Sequence, residues 1–338
     1  MDDHRIPVTI ITGFLGSGKT TLLNNLIKKY ANKKFAIIEN EFGEIGIDGG
    51  LIVGANENIF ELANGCICCS LNDDFQKAIN QLIDGEYVFN HLLVETTGIA
   101  DPDTIIQAFL SSEDIQMQFR LDSVICLADA VNMEDLIDEQ PEVRKQLALS
   151  DIVLLNKTDN IHLDYAYELK RLIKEVNPLA EIYPVAYADI EKIDILDTFT
   201  FSGEAIAKST LSFRNLTISK IKNLTKPSVI IGKKEHYHDI LSEGFSIPGS
   251  FDLGNFSFWM QNFLHFNNDT IYRVKGIVSF EDMPERYIFQ AVRSTYMFEI
   301  GDPWGDENRF SKLIFIGKKI NRDKLEDNLY QLLFKPEK

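Results

Sequence analysis

The chain has 338 residues, of which 45% are hydrophobic and 25% are charged, so it is long enough for two folded domains with apolar cores. Its 34 basic and 51 acidic residues give a formal net charge of −17. This balance argues against non-specific binding to nucleic acid or to anionic membranes, because both need a basic surface. It does not exclude a phosphate ligand held by a local site. No apolar run approaches about 18 residues and no basic leader precedes the first one, so we expect no membrane span, no signal peptide and a cytoplasmic protein.

The N-terminal part of the chain alternates short β-rich apolar runs with helical patterns. Strands are predicted at residues 8–12, 35–39, 87–95, 121–128, 151–155 and 182–186. Helices are predicted at residues 20–30, 71–83 and 162–176. Because strands separated by helices form parallel sheets, we expect an α/β fold with a mostly parallel sheet flanked by helices.

The pattern changes beyond residue 200, where the runs become shorter and richer in Phe and Ser. Strands or strand–helix mixtures are predicted at residues 271–280, 287–298 and 313–316, and a helix at residues 322–334. We therefore expect a larger α/β domain over residues 1–205 and a smaller α+β domain over residues 206–338.

A glycine-rich segment, GFLGSGKT at residues 13–20, fits the pattern G-x-x-x-x-G-K-[ST] between a predicted strand and a predicted helix. The glycines let backbone N–H groups surround phosphate oxygens, and the helix N-terminus adds its positive dipole end. Lys19 can then reach the β- and γ-phosphates, and the Thr20 hydroxyl can ligate Mg²⁺. The alternative is a plain glycine-rich turn. The predicted nucleotide contacts are Gly13, Phe14, Leu15, Gly16, Ser17, Gly18, Lys19, Thr20 and Thr21.

A second motif, Asn156-Lys157-Thr158-Asp159, follows the predicted strand at residues 151–155. A carboxylate at this position can accept two N–H bonds from guanine, whereas adenine has no matching pair of donors. Asn156 and Lys157 would support the base and the loop. Ligands bind at the carboxyl ends of strands in open α/β sheets, which favours a base-binding role for Asp159. The alternative is a polar cap of the next helix.

A third motif lies at the end of the predicted strand at residues 87–95, in the sequence LLVETTG at residues 92–98. Glu95 could hold Mg²⁺, directly or through water, or orient the attacking water. The Gly98 N–H could contact the γ-phosphate. The alternative is an ordinary strand end before a helix that begins near Pro102.

Three of the four cysteines, Cys66, Cys68 and Cys69, lie within four positions just before a predicted helix. Three thiolates at this spacing can converge on Zn²⁺ and leave a fourth tetrahedral position open for ligand exchange. The alternatives are a redox site and inert buried thiols. Cys126 lies inside a predicted strand and is expected to be a core residue.

The glycine-rich segment between these motifs is expected to be a loop over residues 40–54. The carboxylates in and beside it include Glu39 and Glu41. They either extend the metal site, form part of a nucleotide-sensitive switch, or remain solvated.

These motifs together resemble the CobW family of metal-trafficking P-loop GTPases, which is grouped with the nickel-insertion GTPases UreG and HypB. The segments that carry the resemblance are residues 13–26, 39–52, 61–71, 92–102 and 154–159. A looser similarity extends through the C-terminal part, at residues 273–276, Trp304, Arg309 and residues 313–320.

The resemblance implies a nucleotide and metal cycle with assigned residues. It implies GTP phosphates on residues 13–20, guanine on Asn156, Lys157 and Asp159, and a switch over residues 39–52. Mg²⁺ would lie near Thr20 and Glu95, and Zn²⁺ on Cys66, Cys68 and Cys69. Many relatives carry a His-rich stretch, whereas this chain has only His236 and His238 in that region, which favours a solvated loop over an accessory metal site.

We therefore expect a GTPase that couples GTP binding and hydrolysis to the binding of Zn²⁺ and its transfer to a client protein. Two alternatives stay open. One is a GTP-dependent activator that inserts cobalt or iron into a specific metalloenzyme or cofactor pathway. The other is a P-loop kinase or ATPase with a structural metal. No internal arginine finger is evident, so intrinsic turnover is expected to be slow unless a homodimer or a client accelerates it.

Overall fold

The computed structural model describes residues 4–40, 59–64, 71–85, 88–200 and 239–334. Its N-terminal unit contains a seven-stranded, wholly parallel sheet in the order β3-β2-β4-β1-β5-β6-β7. The strands are β1 (Ile6–Gly13), β2 (Phe35–Asn40), β3 (Ile59–Asn64), β4 (His91–Glu95), β5 (Phe119–Asp129), β6 (Ile152–Asn156) and β7 (Glu181–Pro184). The predicted parallel sheet is thus confirmed.

Helices cover both faces of this sheet, because the strand residues are apolar on each side. They are α1 (Lys19–Lys29), α2 (Leu71–Asp84), α3 (Asp103–Ser111), α4 (Glu113–Gln118), α5 (Met133–Glu139), α6 (Pro141–Leu149) and α7 (Leu163–Val176). Helix α1 buries Leu22, Leu23 and Leu26 on one face, together with the segment at residues 185–196. The other helices contribute to the core on the opposite face.

The C-terminal unit is a five-stranded antiparallel sheet in the order β11-β10-β9-β12-β8, with two helices. Its elements are β8 (Ile240–Pro248), α8 (Leu253–Phe266), β9 (Ile271–Val278), β10 (Glu285–Val292), β11 (Thr295–Pro303), β12 (Phe310–Lys318) and α9 (Arg322–Gln331). One core, which is rich in phenylalanine, lies between this sheet and α8 and α9. The expected α+β unit is therefore confirmed.

The two sheets share a core across the helices between them. Tyr272, Ile314 and Ile316 of the second sheet pack in the same apolar cluster as residues of α6 and α7. Buried charges also join the units, because Asp151 accepts from both Arg273 and Lys275 at 2.6 Å. The α/β and α+β units therefore form one packed body around α3, α6 and α7.

The structure differs from the sequence-based predictions in several elements. It contains β3 and helices α4 to α6, which were not predicted from the sequence, whereas α3 begins at Asp103, close to the helix start considered near Pro102. Residues 287–298 form parts of two strands joined by a tight turn, and β4 begins at His91 rather than at residue 87. Within the described ranges, no helix has the length and hydropathy needed to cross a membrane.

Candidate nucleotide and metal site

The phosphate-binding segment lies where β1 ends and α1 begins, as the motif predicts. Gly13, Gly16 and Gly18 all have positive φ, at 145°, 72° and 108°, which only glycine adopts without strain. A Cβ on Gly13 would lie 2.4 Å from the carbonyl oxygen of Leu127, so a side chain does not fit there. The Lys19 Nζ donates to the Gly13 carbonyl at 3.0 Å. The loop therefore has the tight curvature that is typical of loops whose backbone N–H groups bind phosphate.

Asn156, at the end of β6, joins this loop to a second one. Its Nδ2 donates to the Ser17 carbonyl at 2.8 Å, and its Oδ1 accepts from the Ala188 N–H at 2.8 Å. The side chain is only 3% exposed. Asn25 of α1 also donates to the Tyr187 and Ala188 carbonyls at 3.1 and 2.8 Å. The amide of Asn156 thus couples the phosphate loop to the loop at residues 185–188.

Lys157 and Asp159 follow Asn156 on a turn, where the Lys157 side chain binds Asp129 and the Asp159 side chain is exposed. Lys157 has a left-handed φ of 63°, and its Nζ donates to Asp129 Oδ2 at 2.9 Å. Burial alone would raise the pKa of Asp129, but hydrogen bonds from Lys157 and Asn132 hold it below its usual value, so this carboxylate is ionised. Asp159 is exposed beyond the strand end, where a carboxylate can meet a base. The structure therefore places the whole motif at the same edge as the phosphate loop.

The segment after β4 approaches the phosphate loop closely. Ile11 of β1 pairs with Glu95 of β4, so Glu95 ends its strand beside the phosphate loop. A Cβ on Gly98 would lie 2.6 Å from the Leu15 backbone nitrogen, which leaves room for glycine alone. The Gly98 carbonyl accepts from Gln146 of α6 at 3.1 Å. Glu95, Gly98 and the phosphate loop are therefore brought together.

The metal-motif cysteines follow β3 in the sequence. In the backbone register, Glu39 of β2 lies between Glu95 of β4 and Ala63 of β3. The residues outside the described ranges include Glu41, Cys66, Cys68, Cys69, His236 and His238. Most of the predicted loop over residues 40–54 and of the implied switch over residues 39–52 also lies outside them. Cys126 is buried in β5, which raises the pKa of its thiol to about 12 and fits the predicted core role.

Among the described residues, no three His, Cys, Asp or Glu side chains form a metal-binding cluster. The donors proposed for Zn²⁺ are the three cysteines. Three closely spaced thiolates suit Zn²⁺ by ligand type.

Sequence reasoning missed three residues that support the site. Asp129 holds Lys157, Gln146 holds the Gly98 segment, and the Ala188 N–H holds Asn156. Asp129 lies at the end of β5, and a carboxylate at a strand end is the signal that could have found it.

A parallel sheet with a phosphate loop after β1 and an Asn-Lys-x-Asp turn after β6 defines a P-loop nucleotide-binding protein. A family model described as the CobW/HypB/UreG nucleotide-binding domain matches residues 7–184, and one described as the cobalamin synthesis protein cobW C-terminal domain matches residues 241–333. The chain therefore belongs to the CobW/HypB/UreG family, as the resemblance of its motifs indicated.

Named relatives and solved structures agree with this assignment. The zinc chaperone YjiA of Escherichia coli is 34% identical over 325 residues, which cover 95% of this chain and 96% of the relative. The zinc-regulated GTPase metalloprotein activator 1 of Schizosaccharomyces pombe is 29% identical over 94% of this chain and 83% of its own length. The crystal structure of Zn(II)-bound YjiA GTPase from E. coli superposes with a TM-score of 0.69 at 28% sequence identity. The match covers 99% of this chain and 100% of the YjiA chain.

Proposed function

We propose that this chain is a GTP-hydrolysing metallochaperone that binds Zn²⁺ and transfers it to a client protein. The observation that carries the nucleotide part is the Asn156 amide, which holds the phosphate loop and the base-side loop in one arrangement. The zinc part is supported by the three cysteines and by the names of relatives that match nearly the whole chain.

The nucleotide roles follow from the geometry of the strand ends. Backbone N–H groups of residues 13–21 and the Lys19 ammonium bind the phosphates, since the loop curves around that point. Asp159 accepts the paired N–H groups of guanine, while Asn156 and Lys157 hold the turn that presents it. The Gly98 N–H approaches the γ-phosphate.

The residues near Lys19 also fit a magnesium ion. The Thr20 hydroxyl and the Glu95 carboxylate supply the oxygen ligands that Mg²⁺ prefers. When bound, Mg²⁺ offsets the negative charge that develops on the phosphate oxygens. Glu95 holds that ion or orients the attacking water, because its strand ends beside the phosphate loop.

Cys66, Cys68 and Cys69 are the proposed zinc ligands, with Glu39 and Glu41 as further candidates. We propose that GTP orders the switch over residues 39–52 and so changes the geometry around these ligands. Loops ordered by γ-phosphate contacts are an established two-state device. Zn²⁺ is cargo in this scheme, and it leaves to a client after hydrolysis relaxes the switch.

The remaining parts of the proposal concern organisation and partners. The nucleotide domain spans residues 1–205 and the C-terminal domain residues 206–338, which includes the family match at residues 241–333. A client metalloprotein, and a second copy of the chain, are the proposed protein partners. The proposed compartment is the cytoplasm, since a cluster of three thiols at this spacing suits a reducing environment.

The nucleotide part is tested with Asp159→Asn and its matched control Asp164→Asn, an exposed acid on α7. Phosphate release and equilibrium binding are measured with GTP and ATP. Loss of the charged hydrogen bonds should reduce GTP affinity by roughly 10- to 100-fold in the first variant only, with ATP binding unchanged. Unchanged guanine preference in Asp159→Asn would favour the alternative of a kinase or ATPase.

The metal part is tested by metal content per chain, with GDP or a non-hydrolysable GTP analogue bound. The triple variant with serine at 66, 68 and 69 should lose the bound zinc, whereas Cys126→Ala should retain it because that thiol is buried in β5. Equal zinc in both variants contradicts the assigned ligands. Competition among Zn²⁺, Co²⁺ and Fe²⁺ decides between zinc transfer and insertion of another metal.

A further inference from the structure

The segment at residues 97–101, which follows Glu95, is held from α6 by two consecutive side chains. The Gln146 Nε2 donates to the Gly98 carbonyl at 3.1 Å and to the Ala100 carbonyl at 3.4 Å. The neighbouring Lys145 Nζ lies 2.5 Å from Asp101 Oδ2. One amide therefore restrains the backbone on both sides of residue 99, and the lysine restrains the end of the segment.

The restrained stretch is also the part that lies against the phosphate loop. Gly98 packs so closely on Leu15 that a Cβ would lie 2.6 Å from the Leu15 nitrogen. A small rotation of this segment would therefore move the Gly98 N–H relative to the loop. Because hydrogen-bond strength falls steeply with angle, the position of this peptide controls any bond that it makes to a phosphate oxygen.

Gln146 has the properties of a positioning side chain. It is 1% exposed, in a helix whose other buried residues include Val143 and Leu147, so an apolar side chain would satisfy packing alone. Its Oε1 is buried and has no hydrogen-bond partner in the described part of the chain. An unsatisfied buried oxygen is costly, which argues that the amide is retained for more than core packing.

The helix that carries Gln146 is itself anchored, which a positioning residue requires. At its C-terminal end, the Leu149 carbonyl accepts from Arg273 of β9 at 2.5 Å. Earlier in the helix, the Arg144 guanidinium lies 3.5 Å from Asp239, next to β8. The C-terminal sheet therefore fixes α6 at two points, so Gln146 is a stationary support for the Gly98 segment.

We propose that Gln146 is a positioning residue that holds the Gly98 peptide for the γ-phosphate, and so determines how well this protein distinguishes GTP from GDP. The inference rests on the proposed GTPase function. GDP lacks the γ-phosphate, so the affinity of the protein for GDP does not depend on a hydrogen bond from the Gly98 N–H. Removing the Gln146 donor should therefore weaken GTP binding selectively, which loss of a purely structural contact would not do.

The test compares Gln146→Met with the matched control Gln107→Met. The Gln107 amide donates to the carbonyl of Val292 in β10 at 3.4 Å. Affinities for GDP and for a non-hydrolysable GTP analogue are measured with Mg²⁺, together with thermal unfolding without nucleotide. Gln146→Met should lose about 2- to 10-fold in affinity for the analogue, as expected for one neutral hydrogen bond, and keep its GDP affinity. Gln107→Met should keep both affinities.

Equal losses for GDP and the analogue, or unchanged affinity for both, would overturn the inference. Gln146→Leu serves as a second variant if the methionine variant does not fold, and failure of both to fold would make Gln146 a structural residue. The proposed function is judged separately, from the wild-type protein. If wild type binds guanine nucleotides and the variants discriminate as well as it does, only the role of Gln146 is refuted.

Discussion

The amide of Asn156 offers a sharp test of how the site is assembled, through the nearly isosteric change Asn156→Asp. The new carboxylate keeps the oxygen that accepts from the Ala188 N–H at 2.8 Å. It replaces the Nδ2 that donates to the Ser17 carbonyl at 2.8 Å with a second oxygen. The hydrogen bond to the Ala188 N–H is therefore preserved, while the contact with the Ser17 carbonyl becomes repulsive.

The size of the effect follows from burial and hydrogen bonding. The ionised carboxylate of this variant would be nearly as buried as Asn156, which is 3% exposed, and would face a carbonyl oxygen. Losing a buried hydrogen bond and leaving its partner unpaired costs about 1–3 kcal/mol. The phosphate loop can relax without nucleotide but must close to bind it. GDP affinity at pH 8 should therefore fall by roughly 10- to 100-fold.

Acid should partly restore this variant, which gives the reasoning a second check. Burial raises the pKa of a carboxyl group, and the protonated form regains an O–H donor for the Ser17 carbonyl. GDP affinity of Asn156→Asp, relative to wild type, should therefore recover as the pH falls from 8 to 5.5. Asn156→Ala lacks both hydrogen bonds at every pH, so its GDP affinity relative to wild type should show no such recovery.

Equilibrium binding of GDP across this pH range is the assay, with Asn262→Asp as the control. The amide of Asn262 also donates to a backbone carbonyl, that of Phe258 at 2.7 Å, but on the exposed side of α8. The control should bind GDP like wild type at every pH. If Asn156→Asp binds GDP normally at pH 8, or if its defect does not depend on pH, the Asn156 amide does not couple the phosphate loop to the loop at residues 185–188.

Two further predictions concern stability. Asp151→Ala leaves the buried cations Arg273 and Lys275 without their shared carboxylate. The free energy of unfolding, measured in urea, should therefore fall by about 3–5 kcal/mol. Adding Lys275→Met to this variant should recover part of the loss, because it removes one of the unpaired cations. A loss below about 1 kcal/mol would mean that the charges find other partners. The His91 ring, whose Nδ1 lies 3.5 Å from Asp197, and the Lys33 ammonium at 2.7 Å hold the pKa of Asp197 at about 2, below its usual 3.8. This acid therefore stabilises the fold above pH 4 and loses that contribution as the pH falls toward 2. Asp197→Asn should lower the free energy of unfolding by about 1 kcal/mol at pH 7, because solvent screens a side chain that is 39% exposed. The difference in unfolding free energy between this variant and wild type should shrink in acid. A difference that does not change with pH would refute this ion-pair account.

The parallel sheet could be predicted because its information is local. β1, β2, β5 and β6 are continuous apolar runs, and each is followed by a helical pattern or a motif of its own. The hairpin of β10 and β11 was missed for a physical reason. Its turn contains Arg293 at a φ of 56° instead of glycine. An ion pair with Asp103 at 2.7 Å, 190 positions away, helps to hold that residue in place, so no local pattern marks the turn.

The same distinction applies within the site. Residues 13–20 and 156–159 are contiguous motifs whose chemistry is readable from spacing alone. Their supports come from other elements, since Gln146 acts on Gly98 from 48 positions away and Asp129 acts on Lys157 from 28 positions away. Such pairings depend on which helix the fold places against which loop, and a single sequence carries no direct signal of that placement.

The sheet separates the chemistry of this protein from many of its stabilising charges. The phosphate loop, Glu95 and Asp159 lie at the carboxyl ends of parallel strands, and the cysteine motif follows β3 in the sequence. The His91–Asp197 contact and the buried pair of Asp151 with Arg273 lie instead at the amino ends of β4 and β6. Substitutions there should change the free energy of unfolding without altering the preference for guanine, whereas a substitution that changes both would show that the two edges are coupled.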